Sequence, residues 1–376
     1  MSKNNSVKSQ KIVGIIHELT MGGAERMMVN ILNHFLSNGD EVHLIIFKNI
    51  GTLKELLHKS ITVHDLNRSS VKKGMPKCLR YIHKIKPDIV FSGIGHVNIA
   101  LAPFIPVMKK LLPSTRWISR ETNIVSLQNQ EEKYPKVFDS LYTKTYKNFD
   151  VIIAQSEDMK NDLELNYPAT KSKITLINNP IDIEKVNALS LEKINFKFSI
   201  DKVNLISVGT LRHRKRHDLL LKCLSKLPKF CTLTIVGSGE EESSLKIFSH
   251  ALGLEERVYF EGHQTNPYPY VKGADLFVLT SEHEGFPNVL LEANSLGVPV
   301  IAFACPGGIT EIIEEGINGY SVLNGDVEAL AFTIEKAVAK RFEKEWVVDS
   351  VQRRYSHSII FEKYEDVFYN KGMNYG

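Results

Sequence analysis

Two glutamates and a cluster of basic side chains are the residues of this chain best suited to chemistry. Glu284 and Glu292 bracket the run Gly285-Phe286-Pro287-Asn288-Val289-Leu290-Leu291, where a loop gives way to a helix. Pro287, with its fixed φ and missing donor, suits the first helical position, so the amides of Asn288, Val289 and Leu290 are expected to face an anion. Glu292 lies four residues past Asn288 and therefore on the same helix face. The apolar run Asp275–Thr280 precedes the segment, placing it at the carboxyl end of a strand, where open α/β sheets bind ligands. Gly297 closes the helix and Val298–Ala302 begins the next strand. On spacing alone, two solvated glutamates are an equal alternative. The polar run Ser281-Glu282-His283-Glu284 ahead of the helix tips the balance toward a ligand site.

The second cluster is Arg212-His213-Arg214-Lys215-Arg216, which follows the strand ending at Val208 and the turn Gly209-Thr210. Arginine offers a planar fork of donors and lysine a compact charge, a combination that neutralises a departing diphosphate. A solvated basic turn is the alternative reading. Paired glycines recur at predicted strand ends, Gly22-Gly23 after the first strand and Gly307-Gly308 ahead of Glu311; they permit close approach of backbone to phosphate or sugar. Glu311 itself suits a helix N-terminal charge. Gly237-Ser238-Gly239 follows a strand, but the third glycine of a dinucleotide fingerprint is absent, which weakens an NAD reading. Tyr268 and Tyr270 read as packing residues rather than stacking partners. Ser119-Arg120-Glu121-Thr122-Asn123 and His96 also stand at strand ends. A lone histidine is more often structural than functional.

These groups must be positioned by alternating strands and helices. Apolar runs at Lys11–His17, Val42–Phe47, Asp88–Phe91, Arg116–Ser119, Asp150–Ala154 and Ile174–Ile177, with a helix over Ala24–Ser37, predict a parallel-sheet domain. A polar stretch follows, and the alternation restarts at Val203–Val208 and continues through Thr232–Val236, Val258–Glu261, Leu276–Thr280 and Val298–Ala302. The expected organisation is a first domain over 1–180, a linker over 181–200 and a second domain over 201–354. Both domains are α/β and doubly wound.

The chain has 376 residues, 43% of them hydrophobic, enough for two cores. Its net charge of +4 is uneven: residues 1–180 hold 25 Lys and Arg against 16 Asp and Glu, the rest 22 against 27. A basic first half suits an anionic membrane surface or an acidic substrate. No zinc-finger spacing or RNA-binding signature accompanies it, which argues against nucleic acid. Cys78, Cys223, Cys231 and Cys305 form no C-x-x-C pair, in keeping with a reducing compartment. The polar start, Met1–Gln10, has no secretory core and reads as a disordered lead-in. No run is long enough to span a bilayer. Val97–Met108, followed by Lys109 and Lys110, could touch a membrane interface, but a core helix interrupted by Pro103 and Pro106 is the better reading.

Taken in order, Gly22-Gly23-Ala24-Glu25-Arg26, Lys215 and the Glu284/Glu292 spacing resemble the retaining family 4 glycosyltransferases, whose E-x7-E motif the two glutamates match. The resemblance covers nearly the whole chain. It implies the GT-B architecture, two Rossmann-like domains facing across a cleft, with a terminal helix at about 355–376 returning to the first domain. It implies a nucleotide-diphosphate sugar as donor, UDP-linked by preference, and no cofactor or metal. Glu284 would meet the transferred sugar, Glu292 the ribose, and Arg214 with Lys215 the diphosphate. Gly22, Gly23, Gly209, Thr210, Gly237 and Phe286 through Leu290 would line the donor, and Gly262, His263 and Gln264 the base. His96, Arg120, Glu121 and Asn123 would stand on the acceptor side, toward a glycan or lipid-linked saccharide. The chain departs from the commonest pattern at Thr210, where the family has arginine; Arg214 takes that role, with Arg212 in reserve. A cytoplasmic enzyme, with peripheral contact at an anionic membrane, is expected. A sugar-nucleotide epimerase of the same architecture and, less favoured, a dinucleotide-dependent oxidoreductase are the competing readings.

Overall fold

The computed structural model describes residues 9–20, 22–196 and 198–370, so most of the N-terminal lead-in and the last residues of the expected terminal helix lie outside the described residues. The chain divides into two compact units, residues 1–179 with 360–376, and residues 180–359. Each is built on one parallel sheet, for the reason the sequence suggests. Short apolar runs cannot satisfy their backbone groups alone, and strands covered by helices on both faces need be apolar on both faces.

The first unit holds β1 (Lys11–Ile16), β2 (Glu41–Ile46), β3 (Thr62–Asp65), β4 (Ile89–Ser92), β5 (Arg116–Arg120), β6 (Val151–Ala154) and β7 (Ile174–Leu176), in spatial order β3-β2-β1-β4-β5-β6-β7. All neighbours are parallel. The order reverses between β1 and β4, which makes that junction the switch point of the sheet. The helix Gly23–Ser37 lays Met28, Ile31, Leu32 and Phe35 into the core. Phe35 stacks on Phe368 of the terminal helix His357–Tyr369 with ring centroids 4.1 Å apart. The segment at 97–108 is a core helix, Gly95–Leu101, then a short 3-10 turn and a second helix, Ile105–Leu111; Pro103 and Pro106 open those last two elements.

The second unit holds β8 (Val203–Val208), β9 (Cys231–Val236), β10 (Val258–Gly262), β11 (Leu276–Leu279), β12 (Val300–Phe303) and β13 (Gly319–Val322), in order β10-β9-β8-β11-β12-β13. Here the switch point falls between β8 and β11, paired through Leu276 with Leu205 and Phe277 with Ile206. Leu205, Leu221, Leu233, Ile235, Ile301 and Leu330 form part of its core. The polar stretch expected to link the domains carries a helix, Ile183–Leu189, which is part of this unit. Two strands lie beyond the sequence expectation, β3 and β13. Both are edge strands of four residues, which need no continuous apolar run because one side of the ladder faces away from the sheet.

Candidate active site

The loops that leave β8 and β11 flank the switch point of the second sheet, and they carry the basic turn and Glu284. After β8 the chain turns at Gly209, whose amide donates to the Val236 carbonyl at 3.0 Å. A 3-10 turn, His213–Lys215, ends at Arg216, which adopts a left-handed conformation with φ 49° before the helix His217–Lys226 begins. Arg216 is committed to Asp218 through two contacts of 3.0 and 3.2 Å. Arg214 and Lys215 are the other half-buried cations of the turn. Arg212 and Thr210 are exposed.

The two loops are fastened to each other. The Thr280 hydroxyl donates to the carbonyls of Lys215 and Arg216, at 3.1 and 3.0 Å, and the Glu282 amide donates to the Arg214 carbonyl at 2.8 Å. Across this seam Lys215 Nζ donates to Glu284 Oε1 at 2.5 Å. Burial pushes the Glu284 carboxyl up, but Lys215, the Ser281 hydroxyl and the Arg214 guanidinium together outweigh it and hold the group below the usual glutamate value. Glu284 is therefore an anion that is 7% exposed and paired with a cation. Cys305, also beside it, has its thiol pushed up to about 12, chiefly by burial and then by the Glu284 charge.

A third loop, from β12, completes the frame. The Glu284 amide donates to Pro306 and the Gly308 amide to Gly285, at 2.9 and 3.0 Å. A Cβ on Gly307 would lie 2.6 Å from the Glu284 carbonyl oxygen, and one on Gly308 would lie 2.2 Å from the Phe286 ring. The paired glycines thus make room for the loop bearing Glu284 and for Phe286, whose buried ring packs on Tyr355. Gly237 serves the same end from β9, since a Cβ there would meet the Gly209 carbonyl oxygen at 1.8 Å.

The helix that follows runs over Asn288–Ser295, with Pro287 as its N-cap rather than its first residue. The Leu290 amide donates to the Pro287 carbonyl at 3.1 Å. Of the three amides expected to face an anion, that one is already taken by the turn. Gly297 ends the helix at φ 75°. Glu292 is half-buried, and its Oε1 accepts from the Tyr268 hydroxyl at 3.2 Å. Tyr268 is buried, as packing residues are, yet its hydroxyl orients the carboxylate; apolar patterning around it gave no signal of that contact. Thr280 is likewise not singled out by the sequence, and Ser281 only as part of a polar run, although hydroxyls at a strand end are the available cue. Gly262 adopts φ 66°, His263 is exposed, and the Gln264 side-chain amide turns back to the Glu261 carbonyl at 2.7 Å.

In the first unit the loops from β1 and β4 flank the other switch point. Gly22 caps the helix Gly23–Ser37, and the Glu25 carboxylate folds back over it so closely that a Cβ on Gly22 would lie 2.0 Å from Glu25 Oε2. The Glu25 carboxyl is raised mainly by burial, against its own amide and with Glu18 adding to the rise. His17 and His96 meet edge to face at 5.3 Å. Burial, then the His17 charge, lower the His96 pKa. His17 and Glu25 were not among the expected residues; the Gly-Gly-Ala-Glu motif held the only cue to Glu25. Arg120 and Glu121, expected to meet an acceptor, are instead turned inward, each 1% exposed. Arg120 Nη2 donates to Asn179 Oδ1 at 2.7 Å, and Asn98 Nδ2 donates to Glu121 Oε1 at 2.8 Å. A strand-end position gives a side chain two directions, and the sequence does not say which is taken. Asn123 is half-buried, and His96 reaches the surface although its ring, set against His17, is largely shielded.

Among the described residues no group of three or more His, Cys, Asp or Glu is placed to hold a metal ion, and no helix is long and apolar enough to cross a membrane. All four cysteines are buried and unbridged.

Comparison with known proteins agrees with this arrangement. Residues 21–185 match the family Glycosyltransferase Family 4, and residues 192–349 match Glycosyl transferases group 1. An uncharacterized glycosyltransferase of Methanocaldococcus jannaschii is 31% identical over 66% of this chain and 63% of its own length, so the chain spans just under two thirds of that relative. The N-acetylgalactosamine-N,N'-diacetylbacillosaminyl-diphospho-undecaprenol 4-alpha-N-acetylgalactosaminyltransferase of Campylobacter jejuni is 27% identical over 81% of this chain and 83% of its own. In fold, HepE of Anabaena, crystallised with UDP, superimposes with a TM-score of 0.78 at 20% identity, over 96% of this chain and 100% of that one. The paired sheets, the loops at their switch points and the two matched halves together establish that the chain belongs to the group 1, family 4 glycosyltransferases of GT-B architecture.

Proposed function

We propose that the protein transfers a sugar, with retention of configuration, from a UDP-sugar to a hydroxyl of a lipid-diphosphate-linked or cell-envelope saccharide. The observation that carries this reading is the ion pair of Lys215 with Glu284 at the switch point, with Arg214 beside it. A sugar diphosphate has a polyhydroxyl end that a carboxylate can accept from and an anionic end that needs cations, and this site offers both within one hydrogen bond of each other.

In the proposed reaction Glu284 accepts hydrogen bonds from the transferred sugar, and Glu292, steadied by Tyr268, accepts from the ribose. Arg214 and Lys215, with the amides of Asn288 and Val289, meet the diphosphate; no metal is required of that scheme. As the bond between the anomeric carbon and the diphosphate oxygen breaks, its electron pair leaves with the diphosphate, where the cations stabilise the growing charge. The acceptor hydroxyl attacks the same face, and its proton passes to the departing phosphate. The first unit supplies the acceptor contacts, with His96 and Asn123 as candidates. Support for the donor comes from the UDP complex of HepE, and for the acceptor from the diphospho-undecaprenol substrate in the name of the C. jejuni relative. The surplus of basic residues in 1–180 supports peripheral contact with an anionic membrane.

The test is a thermal-shift screen of uridine, guanosine and adenosine diphosphate sugars, followed by transfer from the stabilising donor to diphosphate-linked saccharides, with and without EDTA. Stabilisation by a UDP-sugar and an EDTA-insensitive product with the donor's anomeric configuration are expected. An inverted product, or interconversion of the nucleotide sugar without an acceptor, would overturn the reading.

A further inference from the structure

The carboxyl ends of the second sheet are occupied by the site described above; the opposite edge carries a feature the reaction does not use. A groove of roughly 410 Å³ opens where β8 and β11 begin and just before β12, at Val203, Leu276 and Pro299. The strand β8 is six residues long, so the groove lies on the order of 20 Å from the loops that follow that strand. Lys202, Lys272, Lys340 and Lys344 line it, against one acidic residue, Asp275.

That imbalance runs against the composition of the region. Residues 181–376 carry 22 Lys and Arg against 27 Asp and Glu, yet four lysines converge on one groove. Lys226 and Lys246 of the same unit are paired with Glu328 and Glu242. Among the described residues none of the four groove lysines forms an ion pair. Asp275 is spoken for, since its Oδ2 accepts from the backbone amide of Asn204 at 2.7 Å and from its side chain at 3.1 Å. Lys272 donates once, to the Ser190 hydroxyl at 3.2 Å, and retains further donors. Lys340 is steered by the Gly316 carbonyl and by the rings of Tyr320 and Phe342. Lysines that line one groove without a counter-charge give it a positive potential, which attracts a multivalent anion.

We infer that this groove is a second ligand site, for a phosphate-bearing anion, separate from the site of sugar transfer. Its volume is within the range of small-molecule pockets. Its ammonium groups suit phosphate as point charges rather than as a bidentate fork. The same chemistry is presented by a soluble diphosphate and by a phospholipid headgroup, and the two sources are separable by experiment.

Binding of inorganic pyrophosphate is measured with UDP at saturation, which keeps the probe out of the proposed donor site. Retention on vesicles of phosphatidylcholine with and without phosphatidic acid is measured in parallel. The wild type is compared with Lys202→Gln/Lys344→Gln, substitutions at surface positions outside the transfer site, after equal melting temperatures have shown both to be folded. A loss of roughly tenfold in pyrophosphate affinity, as expected for two lost charge-assisted contacts, assigns a soluble ligand. Loss of retention on phosphatidic acid vesicles, with no pyrophosphate binding by either protein, assigns a headgroup. Equal behaviour of the two proteins toward both probes overturns the inference, whatever the outcome of the transfer assay.

Discussion

Lys215 and Glu284 join the two loops that leave the second sheet on either side of its switch point, Nζ to Oε1 at 2.5 Å. Their side chains are 16% and 9% exposed, so the pair is desolvated enough that neither charge is cheap to leave alone. Folding therefore fixes a cation and an anion together where a diphosphate and a sugar are proposed to bind.

Removing one partner should cost more than removing both. Lys215→Ala is expected to lower stability by about 3 kcal/mol, because it strands a buried carboxylate. Lys215→Ala/Glu284→Gln should recover part of that loss, with an interaction energy of about 1–3 kcal/mol in a double-mutant cycle with the two single variants. Strict additivity in urea unfolding would show that the pair is not coupled. The folded Glu284 titrates below its ordinary 4.5, so the contribution of the pair is present above about pH 4.5 and is lost as pH falls through the depressed value. Under the proposed reaction, Lys215→Ala also lowers turnover by roughly 10²- to 10³-fold.

The contact between Tyr268 and Glu292 gives a separate handle on the donor. Tyr268→Phe removes one hydroxyl from a buried site and leaves the ring packing in place. Glu292 then keeps its charge but loses its orienting donor, so UDP should bind about 3- to 10-fold more weakly, the worth of one net hydrogen bond. Turnover at saturating donor should change little, since Glu292 is proposed to meet the nucleotide rather than the transferred sugar. A Tyr268→Phe variant with unaltered UDP affinity by calorimetry would show that the hydroxyl serves packing alone.

How far the sequence carried the description depends on the kind of interaction. The central strands were legible because burial on both faces requires an apolar run, whereas β3, Thr-Val-His-Asp, and β13, Gly-Tyr-Ser-Val, were not, being four-residue segments that mix polar residues or glycine with apolar ones. Glycines were legible as positions of close approach but not as to what approaches. Gly308 accommodates the Phe286 ring, and Gly237 the Gly209 carbonyl. Charges were legible as a cluster in the basic turn. The sequence could not say that Arg216 is spent on Asp218 while Lys215 turns to Glu284, since both contacts depend on how the turn at Arg216 is folded. Nor could it say that Arg120 and Glu121 point inward.

Glu121 gives the last prediction, and it runs opposite in sign to Glu284. Complete burial pushes its carboxyl up to about 8, although Asn98 and Arg120 favour the anion. A folded pKa above the unfolded value near 4.5 means that the native state holds a proton the unfolded chain has lost. The stabilisation is therefore full below about pH 4.5 and declines as pH rises toward 8. At about 1.4 kcal/mol for each pH unit of difference, the upper bound is on the order of 4–5 kcal/mol. Glu121→Gln keeps the carbonyl that accepts from Asn98 Nδ2 and has no proton to lose. The variant should match the wild type at pH 5 within about 1 kcal/mol and exceed it at pH 9 by roughly 2–4 kcal/mol, read as melting temperatures that diverge over that range. Parallel curves for the two proteins would mean that Glu121 does not carry the proton.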